Sequence, residues 1–275
     1  MTRTPQTQPQ PFLKMHGAGN DFVIIDARDG VDPMTPARAR AIGDRHRGVG
    51  FDQLAVIHTD PDADARLVFW NADGSTAGAC GNATRCVADL LMSQAGQKFL
   101  TLKTEMGALA CEAVGDLIRV NMGTPKLDWA DIPLAKACDT GHLPLDGDPA
   151  ACSMGNPHCT FFVPDAQRAD FTNIGYRTEI DPLFPERTNV QIVQVLDKNR
   201  ARVRVWERGV GPTLASGSSA CAVVVNGARR GLMDRQADVI LDGGTLSIDW
   251  REDGAWMTGP TAKVFSGTLD PSLLP

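Results

Sequence analysis

The chain has 275 residues, enough for two domains of about 100–200 residues each. Hydrophobic residues make up 43% and charged residues 22%, the balance of a globular protein that keeps its apolar side chains inside. The net charge of −6 speaks against a nucleic-acid partner, which needs a basic face to meet phosphate. No apolar run approaches the roughly 20 residues that span a bilayer, which speaks against a membrane.

The opening segment, Met1–Pro11, reads MTRTPQTQPQP; it has no cleavable apolar core and is not a secretory signal. Residues 1–10 are expected to form a flexible tail. Short apolar strands follow at Phe22–Ile25, Leu54–Ile57 and Leu67–Trp70. A helix is predicted over Ala83–Leu91, with Cys86, Val87, Leu90 and Leu91 at helical spacing. A linker is expected near Gly123–Pro125, and 126–149 carries three prolines and little pattern. Strands recur at Thr160–Val163, Gln191–Val195 and Val203–Trp206, and a second helix at Ala220–Ala228. That helix is apolar almost all round, as a helix buried inside a sheet should be.

These elements repeat at one offset, 136 residues. Gly19-Asn20 maps onto Gly155-Asn156, Gln53 onto Asn189, Trp70 onto Trp206 and Asn71 onto Glu207. Ala79-Cys80-Gly81 maps onto Ala215-Ser216-Gly217. Two copies of one domain facing each other would leave a cleft between them, a favoured place for a ligand.

The densest chemical signal is Asn71–Cys86, NADGSTAGACGNATRC, where Cys80 directly precedes Gly-Asn and a helix start. A helix N-terminus presents unpaired N–H groups and a partial positive charge. These favour thiolate and can also hold a carboxylate. The mirrored segment, ERGVGPTLASGSSAC, puts Ser216 where the repeat calls for a second thiol, again followed by a small helix start at Gly217-Ser218.

KMHGAGNDF, NADGS…CGNATRC, GNPH and ERGVG…A-x-G occur in this order from Lys14 to Pro260. In these motifs the chain resembles the diaminopimelate epimerase family. The resemblance implies an α/β (α+β) fold of two pseudo-symmetric domains, each a strongly curved sheet wrapped around a central helix. It implies an N-terminal domain of 11–125 plus 264–275 carrying Cys80, and a C-terminal domain of 126–263 carrying Ser216. It also implies interconversion of LL- and meso-2,6-diaminopimelate with no cofactor and no metal, for lysine and peptidoglycan precursors, in the cytoplasm. The expected partner is the small-molecule substrate, with a homodimer as the assembly to be tested. Cys80 and Ser216 are the catalytic positions. Gly81, Asn82, Gly217 and Ser218 would stabilise the carbanion. Asn20, Asn71, Asn156, Asn189, Glu207 and Arg208 would bind the distal end of the substrate. Gln53 and His158 would orient the reacting end.

Each residue also has a plainer reading. Asn20 and Asn156 suit turns, His158 a satisfied loop histidine, Glu207–Arg208 a surface pair, and Cys80 an inert core thiol. Cys152, His158 and Cys159 are the nearest approach to a zinc set, with poor spacing for one tetrahedral ion. Gly17-Ala18-Gly19 is a broken dinucleotide fingerprint because Phe22 fills the third glycine position. A Cys80–His158 hydrolase has nothing beyond the pair. Ser216 is the departure from the family, since a hydroxyl without a partner is a poor base near neutral pH. It is read as an engineered Cys-to-Ser variant of an ordinary epimerase, as a slow natural relay, or as the mark of one-base chemistry like that of relatives in the proline racemase group. The first is favoured because the surrounding family residues are retained. The alternatives are a racemase of another amino acid, or an inactive homologue that only binds a diamino acid.

Overall fold

The computed structural model describes residues 9–30 and 32–273. Of the tail expected over 1–10, residues 1–8 lie outside the described residues, and Gln10 opens the first strand. The chain divides into two compact units. The first takes the described residues up to Gly17, Asp21–Ile118 and Thr261 onward; the second takes Ala18–Asn20 and Arg119–Pro260. Four helices are labelled here: α1 (Pro36–Gly43), α2 (Gly81–Ala95), α3 (Phe171–Glu179) and α4 (Gly217–Arg229).

In the first unit the strand Asn20–Asp26 runs parallel to Gln53–His58, which pairs antiparallel with Ala65–Asn71. Ala65–Asn71 then pairs in parallel with Phe99–Thr104, and that strand pairs antiparallel with Gly107–Val114. Gln10–Gly17 is zipped antiparallel to Ala262–Leu269. Strands of this set pack around α2, whose first eight residues are all buried. The left-handed Gly96 stops α2, its N–H returning to the carbonyl of Met92.

The second unit repeats the order. Pro157–Phe162 runs parallel to Asn189–Asp197, which pairs antiparallel with Arg200–Glu207. Arg200–Glu207 runs parallel to Gln236–Leu241, and the antiparallel strands Gly244–Arg251 and Gly254–Gly259 follow. α4 packs against six strands, and Ser219–Gly227 are buried without a break. Val223, Val224 and Val225 each give up roughly 0.5 kcal/mol of helix propensity against alanine. Burying each fully returns about 1.5–3 kcal/mol, so tertiary packing outweighs local preference.

The 136-residue offset governs the pairing as well as the sequence. Phe22 stands opposite Gln53 and Leu54 opposite Trp70; His158 stands opposite Asn189 and Val190 opposite Trp206. It extends to α1 and α3, to which the sequence analysis assigns no element. Beyond the central helices the register slips by one: Ala65 faces Leu102, whereas Ala201 faces Val239. The stretch 126–149 is irregular, yet Ile132, Leu134 and Leu143 are buried against Phe161, Phe184 and Ile192. Among the described residues no helix is long and apolar enough to cross a membrane.

Candidate active site

Cys80 and Ser216 are the N-caps of α2 and α4, one residue ahead of Gly81 and Gly217. Their backbones match: φ −149°, ψ 103° at Cys80 and φ −141°, ψ 121° at Ser216. Neither side chain caps its helix, and neither first turn holds an acidic residue. Ser216 is a residue type that normally caps well, so its failure to cap means the local geometry aims the side chain away from the N–H groups. The first helical bonds run from Thr84 N to Cys80 O (2.9 Å) and from Ala220 N to Ser216 O (3.0 Å). The positive ends of both helices are thus not neutralised by an acidic residue of their own first turn.

Around Cys80, Asn82 Oδ1 accepts from Arg85 Nη1 at 2.8 Å, on a side chain that is fully buried. A Cβ at Gly17 would stand 2.9 Å from Arg85 Nη2, so glycine there leaves room for the guanidinium. Gln53 Nε2 donates to Asn71 Oδ1 (3.0 Å), and Asn71 Nδ2 donates to Ser75 Oγ (2.9 Å). Nearby, Asp21 is paired with Lys14 and Arg45. Burial raises the Asp21 carboxyl, but Arg45 and Lys14 together outweigh it and hold it down at about 2.

Around Ser216 the polar groups are more deeply connected. Arg229 Nη1 can only donate, and it donates to Asn226 Oδ1 (3.1 Å). That turns Asn226 Nδ2 toward Thr160 Oγ1 (3.0 Å), so Thr160 donates to Gln191 Oε1 (2.9 Å). Gln191 Nε2 then faces both Ser219 Oγ (3.1 Å) and His158 Nδ1 (2.9 Å). His158 Nδ1 therefore accepts, and Nε2 carries the proton that reaches Asn156 Oδ1 at 2.9 Å. Burial, with the Arg208 charge adding to it, pulls His158 from 6.5 down to about 3, so the ring is neutral. Asn156 is left with its N–H pair to offer. Asn189 donates to Pro157 O (2.9 Å) and accepts from Arg208 N (3.0 Å). Arg208 is exposed, with Nη1 on Glu186 O at 3.1 Å.

His158 lies in the strand Pro157–Phe162, fully buried, rather than in a loop. It and Cys159 point to opposite faces of that strand; Cys159 packs with Phe161 and Ile192 in the apolar cluster instead. Burial pushes the Cys86, Cys111 and Cys152 thiols up to about 12, and Cys159 well above its ordinary value. Cys80 is only half-buried. The sequence reading did not single out Gln191, Ser219 or Arg85. One signal for Gln191 was available: the offset aligns it with Ala55, a polar residue against an apolar one inside a strand.

Comparison with known proteins bears on this arrangement. The family model described as Diaminopimelate epimerase matches residues 12–127 and 150–264. A diaminopimelate epimerase of Acidiphilium cryptum is 53% identical, over 96% of this chain and 98% of that protein. One of Gluconobacter oxydans is 54% identical, over 94% and 98%. Among solved structures, a PhzF-family protein of Bacillus anthracis aligns over 95% of this chain and 99% of its own, with TM-score 0.68 and 15% identity. A hydroxyproline epimerase of Agrobacterium vitis aligns over 97% and 94%, with TM-score 0.67 and 13% identity. Those two likenesses show a shared fold of two repeated α/β domains. On the family match and on identities near one half over almost the whole length, the chain belongs to the diaminopimelate epimerase family.

Proposed function

We propose that this protein interconverts LL- and meso-2,6-diaminopimelate without pyridoxal phosphate, and that Ser216 impairs the step. The observation that carries the reading is the pair of matching, uncapped helix starts at Cys80 and Ser216, in a chain whose relatives at 53% and 54% identity are named for that reaction. Inversion at the α-carbon needs one group to take a proton from one face and another to deliver a proton to the opposite face. In our reading residues 11–125 with 264–275 supply Cys80 as one such group, and 126–263 supply the other position. The amides of Gly81, Asn82, Gly217 and Ser218 hold the α-carboxylate and the charge it gains as the proton leaves. Gln53 and the neutral His158 orient the reacting end. Asn20, Asn71, Asn156, Asn189, Glu207 and Arg208 take the distal end, where the guanidinium fork suits a carboxylate. The seven thiols fit a reducing cytoplasm.

The serine itself favours a second, narrower reading. A hydroxyl with no adjacent base leaves Cys80 as the one competent group, so proton removal persists from one stereoisomer while net inversion fails. Both readings are tested by following α-hydrogen exchange in D2O together with optical rotation. We expect slow exchange from one stereoisomer and severely reduced inversion. Calorimetry should give tighter binding of diaminopimelate than of lysine, which lacks the distal carboxylate; equal affinity would count against this substrate.

A further inference from the structure

The turn Glu207–Val210 carries two of the residues assigned to the distal end of the substrate, and it is held from outside itself. Val210 N closes it on Glu207 O at 3.1 Å. Its two intervening N–H groups go to side chains: Arg208 N to Asn189 Oδ1 (3.0 Å) and Gly209 N to Glu179 Oε1 (2.8 Å). Glu179 is the last residue of α3 and is 5% exposed. Its second oxygen accepts from Trp206 Nε1 at 2.7 Å, and Arg187 Nη1 stands 3.4 Å from the first. One buried carboxylate thus ties the strand end at Trp206 to the turn at Gly209.

The equivalent position in the first unit makes the contrast. There the offset places Gly43, where a Cβ would lie 3.0 Å from the Cα and Cβ of Ala72, so no carboxylate fits. The indole nitrogen of Trp70, equivalent to that of Trp206, is buried with no hydrogen-bond partner among the described residues. The corresponding turn is tied by Asn71 to Ser75 and Ser75 to Asp73, and from α1 by Arg40 Nη1 donating to Asp73 O at 3.2 Å, with no carboxylate on its N–H groups from that helix. The carboxylate clamp therefore belongs to the half whose turn carries an arginine, and a general need of the fold would have placed one in both halves.

We propose that Glu179 is a positioning residue for Arg208: it fixes the Glu207–Val210 turn so that the guanidinium is preset for the distal carboxylate of the substrate. This rests on the substrate reading given above. A buried carboxylate accepting two N–H donors holds a turn more stiffly than water can, and misplacing a binding group by about 1 Å can cost on the order of 100-fold.

The test uses the full chain with Glu179→Ala, Glu179→Gln, Trp206→Phe and Arg208→Met. Glu179→Ala should weaken diaminopimelate binding by about 10- to 100-fold, the scale of a misplaced group, and change lysine binding little. At saturating diaminopimelate its α-proton exchange rate should stay close to that of the parent. Glu179→Gln keeps the shape and one acceptor and should show an intermediate loss; it replaces the alanine variant if that one does not fold. Trp206→Phe keeps the Gly209 bond and removes only the second donor, so its loss of diaminopimelate binding should be smaller than that of Glu179→Ala. In the Arg208→Met background, Glu179→Ala should add no further loss. Equal losses for both ligands, or additive losses in the double variant, overturn the proposal and leave Glu179 a structural residue. Amide hydrogen exchange at Gly209 separates the two layers. No binding of diaminopimelate by the unaltered chain overturns the substrate reading, and with it the role given to Arg208. Normal binding with Gly209 exchange unchanged in Glu179→Ala overturns the clamp alone.

Discussion

The two units share a chain path and differ in what fills the space beside the central helix. In the first unit, Phe22, Ile24, Ala55, Ala83 and Leu90 occupy five positions there, and the first four are essentially inaccessible. The offset places His158, Thr160, Gln191, Ser219 and Asn226 at the equivalent positions of the second, all five fully buried. An apolar core is held by volume and tolerates rearrangement. A buried polar network is held by direction: each member has one orientation that satisfies its neighbours, and a half-satisfied network costs more than none. The Arg229-to-His158 chain ends on Asn156 and fixes which of its amide atoms is left for a ligand. The first unit puts its buried polarity on the helix itself, with Arg85 orienting Asn82 where the second has Cys221 and Ser218. One fold thus orients Asn156 through a network that runs from α4 into the sheet in one copy, and Asn82 through a pair within α2 in the other.

The largest expected effect comes from making the two helix starts alike. Ser216→Cys should raise net inversion by about 10²–10⁴-fold, the usual contribution of one general acid/base group. The change is nearly isosteric at a residue that makes no cap bond, so the melting temperature should barely move. A large shift would mean the gain came from folding. Cys80→Ser in the parent should remove both exchange and inversion. Full-rate epimerisation by the parent, with no gain from Ser216→Cys, would mean that the two-thiol mechanism does not describe this chain.

The next effect breaks the polar core. Gln191→Leu would leave Thr160, Ser219 and His158 Nδ1 without their partner, at about 1–3 kcal/mol for each group left unsatisfied. Chemical denaturation should show a loss of roughly 3 kcal/mol or more after partial relaxation. Copying the whole set from the first unit, with His158→Phe, Thr160→Ile, Gln191→Ala, Ser219→Ala and Asn226→Leu, should recover much of that loss. Replacing all partners by apolar groups is close to neutral, whereas removing one is not. If Gln191→Leu unfolds with the parent, the network is not what distinguishes this half.

Acid should reach the two halves in different windows. His158 is lowered from 6.5 to about 3, so between those values the unfolded chain binds the proton and the folded one does not. Its contribution is therefore complete above pH 6.5 and is lost as pH falls toward 3, at about 1.4 kcal/mol per pH unit. Asp21 in the first unit is lowered from 3.8 to about 2, so its contribution is lost only below 3.8. Denaturation across pH 3–8 should show the first slope vanish in His158→Gln and persist in Asp21→Asn.

Much of this architecture could be read from the residues, and the omissions have physical causes. The strands at Phe22, Leu54 and Leu67 and their counterparts are β-branched or aromatic runs closed by turn residues; the structure extends each by only a few positions, except that the one expected over Thr160–Val163 runs from Pro157 and ends at Phe162. The helices begin at Gly81 and Gly217, two and three residues ahead of the expected starts, because glycine gives no helical signal of its own. Gly107–Val114, GALACEAV, is a strand written in helix-favouring Ala, Leu and Glu, so pairing with Phe99–Thr104 overrides its local preference. The residues named for the site follow motifs. Gln191, Thr160 and Asn226 do not, since sequence alone does not distinguish a polar side chain facing the core from one facing water.

The smallest expected effect distinguishes α1 from α3, helices at equivalent positions in the two units. The Thr35 side chain caps α1, accepting from Arg38 N at 3.2 Å with an extended backbone at φ −141°, ψ 161°. Asp170 precedes α3 with φ −73°, ψ 69° and makes no side-chain cap bond, although aspartate is as good a capping residue by type. The difference lies in the backbone that delivers the side chain, and α3 is anchored instead at its far end, where Glu179 meets Trp206 and Gly209. Thr35→Ala should therefore cost about 1 kcal/mol, the usual worth of a cap. Asp170→Ala should cost no more than a few tenths of a kcal/mol, the residue of a charge–dipole attraction screened by solvent. Urea denaturation of the two variants and the parent, fitted with a common slope, measures both. Equal losses would mean that Asp170 caps α3 in solution, and that the two helices are fixed in the same way.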